Sequence, residues 1–218
     1  MDKHYFESSN WSTEDFLKSD ELKDFPPVYD NVTKVIGTNI DTIKIVENFM
    51  PKHDVDILMN RLNIMYEIVA ADNNTFKQIE NESKTLTLKY KEKIKINAEK
   101  FFNLKLEYDN YASPAHSPDS YFSGRKKNMA TGIHTDNLDI DKHKYDKYNW
   151  SGHISNLIYL NDDYEGGELF FPHHNLKIKP KPGMLVSFPG NWWNRHAIFP
   201  ASNMRFAMSI FLKIKDFE

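Results

Sequence analysis

At Leu104 the apolar pattern of this chain changes period. Before it, Val55, Leu58, Leu62, Met65 and Val69 recur at three- and four-residue steps, which predicts a helix from about Lys52 to Val69 with one apolar face. Ile79, Leu86, Tyr90, Ile94, Ala98 and Phe101 repeat that spacing and predict a second helix from Asn74 to Phe102. The basic run Lys89 to Lys95 lies inside it, and its interleaved Ile and Glu mark a solvated helix face, not a nucleic-acid patch. After Leu104 the chain reads as short strands: Leu104 to Tyr111, Met129 to His134, His153 to Leu160, Glu168 to Phe171, Leu176 to Ile178, Met184 to Phe188 and Arg205 to Lys215. The stretch Ser113 to Asn128, rich in Ser, Pro and Gly, reads as a loop. Helices followed by many short strands argue for an α+β domain whose C-terminal half is a β-sandwich or jelly roll.

Upstream, Thr42 to Val46 alternates and is β-branched, as a strand requires, and Asn48-Phe49-Met50-Pro51 turns the chain into the first long helix. The polar first forty residues, broken at Pro26-Pro27 and with a helix start at Ser12-Thr13-Glu14-Asp15, read as an extension that wraps or caps the rest. The expected organisation is therefore an N-terminal extension over 1–39 and a single domain over 40–218, with helical support over 52–102 and a β-core over about 104–215.

Composition removes several classes of function. There is no cysteine among the 218 residues, which excludes disulfides, thiolate zinc sites, iron–sulfur ligation and cysteine nucleophiles. Any metal must be held by His, carboxylate or water. A formal charge of -3 provides no global attraction to nucleic acid or to an anionic membrane, so neither is an expected partner. Met1 to Phe16 is polar and mixed in charge, unlike a signal peptide, and no run is long and apolar enough to cross a bilayer; a cytoplasmic location is the expectation.

Against that background His134-Thr135-Asp136 is the candidate for chemistry. Side chains two apart on an extended segment point the same way, so His134 and Asp136 can reach one ion from a strand end. Two imidazoles and one carboxylate on one face of Fe(II) leave the opposite face open to substrate and oxygen. The third ligand must come from elsewhere, and spacing alone does not choose among His4, His53, His116, His143, His153, His173, His174 and His196.

Downstream of the triplet stand, in order, Tyr159-Leu160-Asn161-Asp162, Glu165-Gly166-Gly167-Glu168-Leu169, Lys179-Pro180-Lys181-Pro182-Gly183, Ser187-Phe188, and His196 followed by Arg205. With these motifs the chain resembles the Fe(II)- and 2-oxoglutarate-dependent dioxygenases, in their prolyl 4-hydroxylase-like branch. The resemblance is carried by Met129 to Lys215, and Ile43-Lys44-Ile45-Val46-Glu47-Asn48-Phe49 is similar to that family's strand–helix opening. It implies a double-stranded β-helix, a jelly roll, with N-terminal helices packed on one sheet. It also implies that His134, Asp136 and His196 are the iron ligands. Arg205 corresponds to the residue that binds the distal carboxylate of 2-oxoglutarate, with Tyr159 and Ser209 completing the clamp. A guanidinium suits this task because it offers a carboxylate two parallel charge-assisted hydrogen bonds.

The implied cofactors are Fe(II), 2-oxoglutarate as cosubstrate and O2, with ascorbate as a further one. The implied reaction hydroxylates proline in a peptide or protein and releases succinate and CO2. The same chemistry on a free amino acid or another small molecule is the alternative, and a non-catalytic jelly-roll binding module is a third reading. Position 211 is Phe, where prolyl hydroxylases commonly carry Trp and nucleic-acid demethylases of the superfamily a second Arg. The loops Ser113 to Asn128 and Asn137 to Trp150 flank the triplet and read as a lid, whose Tyr121, Phe122, Tyr145, Tyr148 and Trp150 line a peptide groove or anchor the loops. Trp192-Trp193 reads as core, and His173-His174, on opposite faces of a strand, as no metal pair.

Overall fold

The computed structural model describes residues 5–7, 31–68, 73–109, 122–125, 129–136 and 153–216. In chain order its elements are β1 (Tyr5–Glu7), α1 (Asn31–Ile36), a 3₁₀ turn (Ile40–Thr42), β2 (Lys44–Val46), α2 (Lys52–Ile68) and α3 (Asn73–Phe102). They continue with β3 (Leu106–Tyr108), β4 (Phe122–Arg125), β5 (Met129–His134), β6 (Ile154–Tyr159), β7 (Leu169–Phe171) and β8 (Leu176–Ile178). The last are β9 (Leu185–Pro189), β10 (His196–Ile198) and β11 (Arg205–Ile214). The strands form two antiparallel sheets, one ordered β1-β5-β10-β7-β8 and the other β2-β9-β6-β11-β3, with β4 also paired to β11. This is an α+β jelly roll with its long helices packed on one sheet.

The alternation of side chains along β11 builds both layers at once. Phe206, Met208, Ile210 and Leu212 face away from the barrel and pack with Val55, Leu58 and Leu62 of α2 and Tyr90, Ile94 and Ala98 of α3. Ala207, on the opposite face, joins Tyr159, Leu169, Phe171, Val186, Phe188 and Ile198 in the layer between the sheets. The helix-facing cluster backs the second sheet, and a separate apolar layer lies between the sheets.

The predicted helices end within a residue or so of the observed ones, since their apolar faces are the faces buried. Met65, Val69 and Ile79 lie where side chains are outside the described residues. Three differences have physical causes. The expected loop Ser113 to Asn128 contains β4, in which Phe122 alone of the four residues favours a strand and which pairs with Arg205 to Met208. His196–Ile198 forms a strand between β5 and β7, too short for any periodicity to register. Lys91, expected on a solvated face, is buried, its Nζ 4.6 Å from the Tyr108 ring centre and its pKa pushed down to about 8 by burial. Residues 5–7 of the expected extension add a strand to the edge of β5. The helix start at Ser12 to Asp15 and the expected lid, apart from the backbone of β4, lie outside the described residues. Among those described, no helix is long and apolar enough to cross a membrane.

Candidate active site

His134 and His196 are directly opposed residues of β5 and β10, so strand pairing brings their rings to a centroid separation of 4.3 Å. Both point between the sheets, because their neighbours Ile133 and Ala197 pack on the outer side with Phe170 and Phe199. Asp136 follows in the bend after β5, with Oδ1 3.7 Å from His134 Nε2 and Oδ2 3.8 Å from His196 Nε2. One ligand atom from each of the three residues lies within 4.8 Å of the others. An ion bound at ~2.0–2.2 Å holds neighbouring ligand atoms roughly 3–3.5 Å apart, so only small rotations separate this arrangement from coordination.

The tautomer of His196 is set from behind. Its Nδ1 lies 3.2 Å from the carbonyl of Asn194, and because a carbonyl can only accept, Nδ1 carries the hydrogen and the Nε2 lone pair faces Asp136. That carbonyl belongs to a 3₁₀ turn, Trp192–Asn194, which is capped by Asn191 and pinned through the Asn194 side chain to Asn191 and His174. Phe188 closes over the ring at 4.8 Å and Phe171 at 5.7 Å, keeping the imidazole in an apolar setting.

Arg205, Ala207 and Ser209 share the inner face of β11, and Ala207 opposes Tyr159 on β6. The buried Arg205 guanidinium lies 5.2 Å from the Tyr159 ring centre and donates from Nη1 to the carbonyl of Gly167 at 3.4 Å. Its Nε is buried with no hydrogen-bond partner among the described residues, as is the Tyr164 hydroxyl. Gly167 joins the two: Tyr164 packs so closely on it that a Cβ there would sit 2.7 Å from the ring, at a φ of +70°. Burial raises the Tyr164 pKa, while the Arg205 charge beside it acts in the opposite sense. Buried donors short of an acceptor beside a guanidinium match a dicarboxylate, so these residues fit the cosubstrate that the sequence motifs imply.

Residues 120–213 match the model for the 2OG-Fe(II) oxygenase superfamily. That stretch is similar to the 2OG-Fe(II) oxygenases. Prolyl 3-hydroxylase 2 of Rattus norvegicus is 33% identical over 85 residues, a match that covers 34% of this chain and 12% of that protein, so the chain spans only a small part of the relative's length. Among solved structures, the viral collagen prolyl hydroxylase vCPH of Paramecium Bursaria Chlorella virus-1 superposes with a TM-score of 0.53 at 16% identity, over 88% of this chain and 95% of that one. A Trichoplax adhaerens prolyl hydroxylase, in complex with a hypoxia inducible factor oxygen degradation domain peptide fragment, gives 0.51 at 14% identity, over 84% and 90%. At such identities the likeness to the two structures concerns the fold.

Sequence reasoning missed two residues of the candidate site, Tyr164 and Ser155. Tyr164 sits in the motif between Tyr159 and Gly166-Gly167, and its side chain reads there as one more turn aromatic. Ser155 donates a hydrogen bond to Asp136 Oδ2 at 2.5 Å from the opposite sheet, a contact no linear spacing encodes. The other candidate histidines take other work or lie elsewhere. His153 Nδ1 accepts from the Ile214 amide at 3.0 Å, and His173 accepts from Arg195. His173 and His174 stand on a 3₁₀ turn, not on a strand as expected, and each is engaged separately. His53 is exposed on α2, and His4, His116 and His143 lie outside the described residues. Trp192 is buried as expected, with the Arg195 guanidinium 4.4 Å from its ring centre.

Proposed function

We propose that this chain is an Fe(II)- and 2-oxoglutarate-dependent dioxygenase that hydroxylates proline within a peptide or protein, with succinate and CO2 as by-products. The observation that carries the reading is that His134, Asp136 and His196 form a ligand cluster on one sheet, while the buried Arg205, whose Nε has no hydrogen-bond partner among the described residues, stands on the inner face of the other. In this reading the first three hold the metal, and Arg205, Tyr159 and Ser209 hold the distal carboxylate of 2-oxoglutarate. The bound iron and cosubstrate supply the oxidising chemistry, and ascorbate serves to keep the metal reduced.

The protein's own residues bind, orient and exclude water. Asp136 neutralises part of the metal's charge, and the Nδ1–H to Asn194 bond keeps His196 in the tautomer that presents Nε2. Arg205 orients the cosubstrate by ion pairing from a fixed strand, and Phe171 and Phe188 keep bulk water from that side of the centre. No side chain is required as principal acid or base. A peptide acceptor is supported by the likeness in sequence to prolyl 3-hydroxylase 2 and by the peptide bound to the Trichoplax adhaerens neighbour. We further read residues 40–218 as one domain, with 1–39 as an extension of it.

The test is aerobic incubation with Fe(II), 2-oxoglutarate and ascorbate, following succinate, together with mass spectrometry of proline-containing peptides for a one-oxygen gain. The expected result is peptide-stimulated succinate and a hydroxylated proline, both lost in Asp136→Ala. Oxygen gained by free proline and by no peptide moves the substrate to the small-molecule alternative. Absence of succinate with peptides and with free amino acids alike points to the binding module.

A further inference from the structure

We propose that Ser155 is a positioning residue for Asp136: its hydroxyl fixes the carboxylate beside the two imidazoles of the ligand cluster. The inference rests on the metal-site reading above. Asp136 lies beyond the end of β5, in a bend, where no strand ladder fixes its side chain. Among the described residues, the hydrogen-bond donor to its carboxylate is the Ser155 hydroxyl, 2.5 Å from Oδ2, while the two imidazole Nε2 atoms stand 3.7 and 3.8 Å away.

Ser155 is fully buried on β6, and its cross-strand partners are both aromatic, Phe211 on β11 and Phe188 on β9. A hydroxyl enclosed by apolar neighbours is costly unless it finds an acceptor, and Asp136, reaching over from the other sheet, is that acceptor. The bond thus ties the two sheets together at the metal centre itself. It engages Oδ2, which lies 3.8 Å from His196 Nε2, and limits rotation of the carboxylate, whose Oδ1 lies 3.7 Å from His134 Nε2. Ser155 is therefore the residue that holds the Asp136 carboxylate in place within the ligand cluster.

The experiment titrates Mn(II) into the full-length metal-free protein by calorimetry, and records the visible spectrum of the Co(II)-loaded form. Ser155→Ala is expected to weaken Mn(II) binding by about 10- to 100-fold and to change the Co(II) spectrum, with Ser155→Thr recovering most of the affinity because it restores the hydroxyl. Wild-type affinity in Ser155→Ala overturns the proposal, and so does a Ser155→Thr protein as weak as Ser155→Ala at an unchanged metal-free melting temperature. If Ser155→Ala melts well below wild type without metal, Ser155→Cys decides, since it keeps the volume but donates poorly: weak binding supports the proposal and wild-type binding overturns it. Asp136→Ala separates the two readings, because Mn(II) affinity surviving that change removes the metal site itself, whatever Ser155 does.

Discussion

Arg205 shows how much a single residue's setting decides. On a surface a guanidinium of this kind forms an ion pair of small consequence. Here it is 2% exposed, its Nη1 holds the Gly167 carbonyl, and its Nε waits for an acceptor. Arg205→Lys, which keeps the charge but loses the planar fork, is expected to raise the KM for 2-oxoglutarate by roughly 10- to 100-fold with a smaller effect on kcat. Tyr164→Phe removes one neutral hydroxyl and is expected to raise the same KM by roughly three- to tenfold. Succinate formation titrated with 2-oxoglutarate measures both. A KM unchanged in the two variants would remove Arg205 and Tyr164 from the carboxylate pocket.

At the scale of elements, the site depends on a turn that contains none of its residues. Gly183 precedes β9 with φ at +77°; its amide donates to the Tyr159 carbonyl at 2.8 Å, and its own carbonyl accepts from Met50 at 3.0 Å. It therefore ties the end of β6, where Tyr159 stands, to the chain entering α2. A Cβ at Gly183 would lie 2.1 Å from the Met50 carbonyl oxygen, so Gly183→Ala must break that tie as well as adopt a disfavoured backbone conformation. The expected loss is about 3 kcal/mol in urea unfolding, with a weaker hold on 2-oxoglutarate as Tyr159 shifts. Leu58→Ala, behind the same sheet, is expected to cost about 2–5 kcal/mol by opening a cavity between α2 and the strands. If Gly183→Ala unfolds as wild type does, the turn is not the staple described.

For the molecule as a whole, acid stability has an identifiable source. His153 is buried where β6 begins, its Nδ1 accepts from Ile214 at the end of β11, and its pKa is pushed down to about 4 by burial and then by the Lys213 charge, Asp109 acting oppositely. Protonation would turn the accepting nitrogen into a donor facing an N–H. The folded protein thus binds this proton more weakly than the unfolded chain, so its contribution is complete above pH 6.5 and declines as the pH falls toward about 4. The decline amounts to about 3 kcal/mol. His153→Asn, whose amide oxygen can still accept from Ile214, is expected to lose less stability between pH 7 and pH 4.5 in denaturant unfolding. An equal loss in variant and wild type would place the acid sensitivity elsewhere. A metal that binds only the folded form should also raise the melting temperature, by an amount equivalent to about 2.7 kcal/mol at a hundredfold excess over its Kd, reversed by chelation.

Much of this could be read from the residues in order. The switch from a period of 3.6 to a period of 2 at Leu104 separates α2 and α3 from the strands because local periodicity reflects which face is buried, and burial is what the helices and sheets share. His134, Asp136, His196 and Arg205 could be named in advance because their chemistry is confined to few residue types and their order follows a family pattern. Ser155, Tyr164, β4 and β10 could not. Each acquires its role from a partner far away in the chain: Ser155 from Asp136 on the other sheet, Tyr164 from Arg205, β4 from β11, and β10 from β5 and β7. Non-local pairing of this kind depends on register and sheet order, which short-range propensity does not specify. The order of the residues names the candidate ligands, and the pairing of the strands determines what holds them in place.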